Sequence, residues 1–395
     1  MQNGNAPHTS FLKRVLLALS AVGVLIVVYP TRARPELSVE TLWASVPARD
    51  TTEAEAAAEA AAEAAALIAV DFDDGFAYLT SAGRIVHRGR TAYRVALSLD
   101  GFVNYSRTPA QLVVQYPNGD FRSTLPVAGY PVFVADRLFV LSDGGGTLSE
   151  WDLDGELLWR MDLPAPLLSL DSSSRYLALG PIAGGPIVSH REHDRVDLRL
   201  PAHGERSVVY RIVLSEDPDR LAILSGTASS LGGENAAAGS LELLLTIYEL
   251  SAGRAVPVVR RAIGGPGHDE AFVTLLDDGR ALYGLTEPEP MIVGLGPDGT
   301  TPEYVLALRY PARAAIEPGE LALHAVLSKG GLPDPSRGFL HPAELTYVDR
   351  RGRVAVRAAW AADATSISQH RWDGHVPLTA IRIDDRVLAL RMEVR

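Results

Sequence analysis

Residues 132–159 read VFVADRLFVLSDGGGTLSEWDLDGELLW. Two apolar runs meet at Asp136-Arg137, and two more meet at Asp154-Gly155-Glu156. Short runs of Val, Leu, Phe and Trp cut by Asp and Gly mark strands joined by tight turns, not helices. The glycine suits such a turn because it takes a positive φ that a side chain opposes. Two hairpins in series make one four-stranded unit.

The unit recurs outward in both directions. A small or polar residue, a glycine and a polar or charged residue open a strand at Ala82-Gly83-Arg84, Asn118-Gly119-Asp120, Ala252-Gly253-Arg254, Asp298-Gly299-Thr300 and Arg351-Gly352-Arg353. His193-Asp194-Arg195 lacks the glycine but falls where the spacing requires a turn. The hairpin that precedes each of these turns is visible at Leu167–Leu179, Val209–Leu224 and Phe272–Leu285. Early units lie about 36 residues apart and later ones further, near the roughly 40–50 residues of a propeller blade.

The two ends of this region are each half a unit. Val376–Arg395, turning at Asp384-Asp385, reads as a first hairpin with no second, and Phe76–Arg88, turning at Gly83, reads as a second hairpin with no first. Joining them in one blade leaves no open edge, the problem that a ring of sheets must solve. The expected fold is therefore all-β: a seven-bladed β-propeller over 71–395, closed by pairing of N- and C-terminal strands. An array of two β-sandwiches is the rival, but it gives no reason for the end halves to match. The region, about four fifths of the chain, resembles the WD-repeat and quinoprotein-like propeller superfamilies. The resemblance is one of pattern. Trp-Asp occurs at Trp151-Asp152 and Trp372-Asp373 outside a full repeat motif, and Trp159, which resembles the docking tryptophan of quinoprotein repeats, does not recur. No quinone or other cofactor is implied.

Ahead of the repeats, Lys13 and Arg14 precede an apolar run from Val15 to Tyr29, ended by Pro30, with Arg32 and Arg34 beyond. As a helix the run spans about 22 Å, short of a hydrocarbon layer of roughly 30 Å. Counting Phe11 and Leu12, with Lys13 and Arg14 snorkelling, it can cross. A cleaved signal peptide is the alternative, but Thr31-Arg32-Ala33 followed by Arg34 makes a poor cleavage site. The expectation is a cytoplasmic tail over 1–14, a transmembrane signal anchor over 15–30, a linker over 31–70 and a globular part outside the cytoplasm, in the periplasm of a bacterium. Within the linker, Thr51–Ala66 is almost wholly Ala and Glu, with Glu55, Glu59 and Glu63 every four residues, which predicts a helical spacer.

Composition removes whole classes of chemistry. There is no cysteine, so disulfides, thiolate metal sites and cysteine nucleophiles are excluded. A net charge of -11 with no basic run argues against a nucleic-acid partner. Apolar residues make up 47% of the chain, ample for a buried core.

The densest group of possible metal ligands is His190, Arg191, Glu192, His193 and Asp194, which reads first as a solvated hairpin tip. Asp71–Gly75 and Asp152–Glu156 have a superficial likeness to calcium loops but lack the closing bidentate Glu, so they read as a strand entry and a hairpin turn. His370 to His375, around Trp372, reads as a surface turn, and the glycines of Gly264–Glu270 as a connection between blades five and six. Nucleophile elbows and phosphate-loop glycine patterns are absent. No catalytic, cofactor or metal residue is assigned. Two long interruptions, Gly226–Gly239 and Tyr310–Pro342, are the segments best placed to meet a partner. The function these features support is a membrane-anchored binding or scaffold module for a protein or envelope partner. The alternative is a propeller enzyme, a hydrolase or quinoprotein-like oxidoreductase, with carboxylates or histidines gathered at the central channel.

Overall fold

The computed structural model describes residues 37–45, 67–71, 75–80, 83–190, 197–200, 207–215, 219–227, 243–251, 254–263, 272–275, 280–285, 291–296, 302–307, 312–316, 323–328, 343–349, 354–360, 364–372, 376–383 and 386–394. Two compact units are separable, Met1–Ser38 with Met392–Arg395, and Val39–Arg391. The sheets below lie in the second, apart from the outer ends of two strands.

Among the described residues the strands form eight antiparallel sheets, taken almost strictly in chain order. The first holds β2 (Leu67–Asp71), β3 (Gly75–Thr80) and β4 (Ile85–Arg90). The second holds β5 (Arg94–Leu97), β6 (Phe102–Tyr105), β7 (Leu112–Gln115) and β8 (Phe121–Leu125). The third is β9 (Tyr130–Val134), β10 (Arg137–Ser142), β11 (Thr147–Trp151) and β12 (Leu157–Asp162). The fourth is β13 (Leu167–Ser172), β14 (Tyr176–Pro181), β15 (Ile187–His190) and β16 (Asp197–Arg199). Then come β17 (Ser207–Leu214), β18 (Arg220–Thr227), β19 (Leu243–Ser251) and β20 (Arg254–Ile263). The sixth sheet is β21 (Phe272–Leu275), β22 (Ala281–Leu285), β23 (Met291–Leu295) and β24 (Pro302–Ala307). The seventh is β25 (Ala312–Ile316), β26 (Leu323–Ser328), β27 (Ala343–Asp349) and β28 (Val354–Trp360). In the eighth, β29 (Ala364–Trp372), β30 (Val376–Ile383) and β31 (Arg386–Val394) are followed by β1 (Leu37–Ser45), a strand from the other end of the chain.

The first strand of each sheet lies beside the first strand of the next, from β2 to β5, β9, β13, β17, β21, β25 and β29. Sheets stacked in that way bury their middle strands on both faces. β3, β11 and β14 are buried along their whole length, whereas the outer strand β12 alternates between exposed and half-buried positions. This is why β3 and β14 read as nearly unbroken apolar runs, whereas β11 buries Thr147, Ser149 and Glu150 as well. The core is accordingly divided among the interfaces. Val103, Leu112 and Val114 of the second sheet pack on Leu138 and Val140 of the third. Phe139 and Leu148 pack on Leu177 and Leu179, and Leu224 and Leu245 on Val273 and Tyr283. Each such side chain, fully buried, contributes roughly 1.5–3 kcal/mol.

Hydrogen bonds cross the same interfaces. The Tyr78 hydroxyl reaches the Ser98 and Gly101 carbonyl oxygens at 2.7 and 2.9 Å, joining the first sheet to the second. Ser123 Oγ donates to the Leu153 carbonyl at 2.7 Å, and the Leu214 amide donates to Asp171 Oδ2 at 2.7 Å.

The turn reading holds where the structure describes it. Gly83, Gly119 and Gly155 have φ of 81°, 90° and 97°. Positions 193–195, 253, 299 and 352 lie outside the described residues, but the strands on either side pair, as Ser189 with Asp197 and Ser251 with Arg254.

The structure departs from the expected seven units at the two ends. Phe76–Arg88 and Val376–Arg395 do not share a sheet. The first completes itself with β2, and the second with β29 and β1, so one expected blade becomes two sheets. Both Leu67–Asp71 and Leu37–Ser45 fall in or against the stretch expected to be linker. Leu67–Asp71 follows directly on the Ala/Glu stretch, which hid its alternating burial. Likewise Tyr310–Pro342 is not one irregular interruption, since β25 and β26 lie within it and pair with each other. Each carries a single β-branched residue, Ile316 in β25 and Val326 in β26, a weak announcement of a strand. The apolar run at 15–30, the Ala/Glu stretch at 51–66 and positions 228–239 lie outside the described residues. Among the described residues no helix is long and apolar enough to cross a membrane.

Candidate cleft on the inner strand edges

Among the described residues β5 and β9 each pair on one side only, with β6 and with β10, and a cavity of about 610 Å³ is lined by both strands. Which backbone groups reach it follows from the registers. The Ser98 amide donates to the Gly101 carbonyl, and Ala96 stands opposite Val103. Antiparallel strands bond at alternate residues, so the N–H and C=O of Val95 and Leu97 face away from β6. On β9 the two-residue turn at Ala135 and Asp136, with φ of 46° and 59°, closes on Val134 opposite Arg137. Alternation from there turns Pro131 and Phe133 towards the cavity. A proline, having no N–H, is tolerated at that free edge and not on the bonded one.

One mouth of the cleft is tyrosine-rich. Tyr105, from the end of β6, stands edge-on to Tyr93 at 6.4 Å and to Tyr130 at 6.3 Å between ring centres. Tyr105 is buried, whereas Tyr93 and Tyr130 are 45% and 46% exposed. Burial pushes the Tyr105 hydroxyl above its ordinary pKa, with Arg94 pulling the other way. The Arg94 guanidinium carbon sits 5.8 Å from the Tyr93 ring centre. Exposed aromatic faces beside an arginine favour cation–π and stacking contacts.

The segment that carries these groups is pinned by Asn104. Its Nδ2 donates to the Arg90 carbonyl at 2.8 Å, and its Oδ1 accepts from the Ala92 amide at 2.9 Å. The Tyr93 amide also bonds to the Tyr105 carbonyl, at 3.1 Å. Thr91 lies between these anchors, lines the cleft, and keeps a buried Oγ1 with no hydrogen-bond partner among the described residues. Asp71, at the end of β2, also lines it.

The candidates named from sequence lie elsewhere or in part outside the described residues. His190 ends β15 with its ring edge-on to Tyr176 at 5.0 Å, and 191–194 are not described. Asp152–Glu156 is a hairpin turn, in which Asp152 Oδ1 accepts from the Asp154 and Glu156 amides at 3.0 and 2.7 Å. Asp71 and Gly75 belong to β2 and β3, with 72–74 not described. His370, Arg371 and Trp372 end β29, with His370 opposite Leu378 and Trp372 opposite Val376, and 373–375 lie outside the described residues. Positions 264–270 lie outside the described residues. Among the described residues no three His, Asp or Glu side chains converge.

Sequence reading missed the cleft because its groups come from strands of three successive sheets. One signal was available: Tyr93-Arg94 and Tyr130-Pro131 open the first strands of successive units.

A family model for a β-propeller protein matches residues 12–230. An uncharacterized protein of Treponema pallidum (strain Nichols) is 26% identical over 152 residues, which are 38% of this chain and 40% of that protein. The match thus spans two fifths of the relative's length. The crystal structure of BamB from Moraxella catarrhalis superposes with a TM-score of 0.54 at 11% identity, covering 90% of this chain and 100% of that one, a likeness of fold. The N-terminal domain of Nup159 gives 0.44 at 10% identity over 91% and 96% of the two chains.

Proposed function

Because this chain belongs to the β-propeller protein family whose model matches more than half of it, we propose that it is a propeller binding module for a protein partner, tethered to a membrane through 15–30. The observation that carries the reading is the cleft at Tyr93, Arg94, Tyr105 and Tyr130. Tyrosine and arginine are the residues in which binding energy concentrates at protein interfaces, and here two of the tyrosines and the arginine are open to solvent on a rigid sheet edge. In this reading the eight sheets are eight blades. β1, as the outermost strand of the eighth sheet, closes the ring by joining the N-terminal end of the chain to the C-terminal one.

The tether rests on sequence. Lys13 and Arg14 ahead of an uncharged run to Tyr29 support a signal anchor, with the propeller on the far side of the membrane from the short basic tail. The Ala/Glu stretch over 51–66 would separate β1 from β2 and so interrupt the path from membrane to propeller only after the closing strand.

The test is site-specific photo-crosslinking in native membranes. A benzophenone side chain in place of Tyr93 should trap a defined protein, and the same side chain in place of the exposed Val305 on β24 should not. Equal trapping at both positions, or none at either, would remove the binding reading. Alkaline carbonate extraction checks the tether: the full chain should stay with the lipid, and a chain lacking residues 1–36 should be released.

A further inference from the structure

We infer that the cleft takes its partner as an extended peptide strand, which adds to the free edge of β5 and sets an acidic side chain against Arg94. This rests on the reading of the cleft as a protein-binding site and specifies how that site works.

Three features point to an extended peptide. First, the free backbone groups of Val95 and Leu97 repeat every second residue, about 6.8 Å apart, which is the period at which a strand presents its own N–H and C=O groups. A strand added there recovers hydrogen bonds that side-chain ligands meet poorly, and this is the usual way in which an exposed edge recognises peptides. Secondly, Tyr93 and every residue of β5 line the cleft, a length of about four residues in extended form. Thirdly, β9 faces the same space with Pro131, so that edge offers a gap in its donors. The two edges are therefore unequal, and β5 is the one that can form a continuous ladder.

Charge selects the side chain. Arg94 opens β5 and is exposed, over the Tyr93 ring. A carboxylate on the incoming strand would meet a guanidinium already oriented by its ring contact, in a chain whose overall charge of -11 otherwise repels acidic peptides. Recognition is then local: the peptide's acidic residue must sit at the Arg94 end, while the exposed rings of Tyr93 and Tyr130 take apolar or proline side chains beside it. The Thr91 hydroxyl, buried beside the cleft with no partner among the described residues, gains one when a polar backbone or side-chain group arrives.

The probe is a library of random dodecapeptides displayed on phage, selected against the full chain in detergent micelles, with Arg94→Ala protein used to remove binders that ignore Arg94. Enriched peptides should share an acidic residue in an alternating, strand-like context. Synthetic copies should bind at least tenfold less tightly to Arg94→Ala, and at least tenfold less tightly when alternate amides on one edge are N-methylated. N-methylation that costs nothing on either edge would overturn the added strand. Enriched peptides without an acidic residue would overturn the role of Arg94. Binding of linear N-acetylglucosamine tetramers at the same tyrosines, with no peptide enriched, would replace the peptide by a sugar. Failure of the library while Tyr93 still crosslinks a protein would reject the extended strand and leave the binding module standing. Arg94 and Tyr93 are exposed, so the variants keep their fold, which circular dichroism checks.

Discussion

Arg137 and Glu150, on adjacent strands of the third sheet, are joined by two parallel bonds, Nε to Oε1 at 2.9 Å and Nη2 to Oε2 at 2.7 Å. The side chains are only 12% and 4% exposed, and Arg137 also stacks 4.9 Å from the centre of the Phe139 ring and donates to Ser172 Oγ in the next sheet. Equivalent arginines open β18 and precede β22, where Arg220 meets Glu249 at 3.0 Å and Arg280 meets Glu303 at 3.1 Å. The arginine that ends a first turn thus supplies a buried cation to its own sheet. Substituting Arg137 by Ala strands the Glu150 carboxylate and should cost about 3–5 kcal/mol, whereas replacing both with Met and Leu should cost much less. Urea unfolding midpoints of the three proteins decide; equal losses in the single and double variants would mean that the side chains act by packing alone.

Tyr78 links the first two sheets, and burial pushes its hydroxyl pKa far above the ordinary phenol value. The unfolded chain loses that proton near pH 10, while the folded chain keeps it. Fewer protons on the unfolded state mean that stability is full below pH 10 and falls as pH rises beyond it. Tyr78→Phe should therefore lower stability near pH 7 by about 1–3 kcal/mol, since two carbonyls lose their donor, and should flatten the decline above pH 10. Unfolding midpoints measured from pH 7 to pH 11 test both halves; an unchanged alkaline slope would place the titration elsewhere.

Gly119 and Gly144 both have positive φ, at 90° and 66°, but only one is crowded. A Cβ on Gly119 would lie 2.6 Å from the His87 ring, which is itself stacked 5.4 Å from Phe102, while a Cβ on Gly144 would meet open space. Alanine at 144 should cost the backbone penalty alone, about 1 kcal/mol. Alanine at 119 adds a clash at a packed ring and should cost about 2–4 kcal/mol. Thermal melts of the pair measure the difference, and equal losses would show that His87 moves freely.

What could be read from sequence, and what could not, divides along the same lines. The turns at Gly83, Gly119 and Gly155 were legible because a tight hairpin demands a special backbone and few residues supply it. Middle strands such as Tyr176–Pro181 were legible because burial on both faces demands an unbroken apolar run. Edge strands face weaker demands. β1 mixes Ser, Glu and Thr with its apolar residues, β25 is mostly alanine and arginine, and the apolar run of β2 is short and adjoins the Ala/Glu stretch, so β1 and β2 were absorbed into a linker. The cleft needs still less from any one segment, since Tyr93, Tyr105 and Tyr130 become neighbours only when β5, β6 and β9 are in place.

The pairing of β1 with the C-terminal strand can be tested apart from the membrane segment. β1 is the outermost strand of the eighth sheet, in the order β29, β30, β31, β1. Without it, Arg386–Val394 becomes an unprotected edge of nine residues, a template for pairing with another chain. A protein beginning at residue 37 should be monomeric and keep its unfolding midpoint, because β1 remains. A protein beginning at residue 46 should melt several degrees lower and self-associate in sedimentation, and a synthetic peptide of residues 37–45 added in excess should restore the monomer. If the two proteins behave alike, β1 does not seal the eighth sheet.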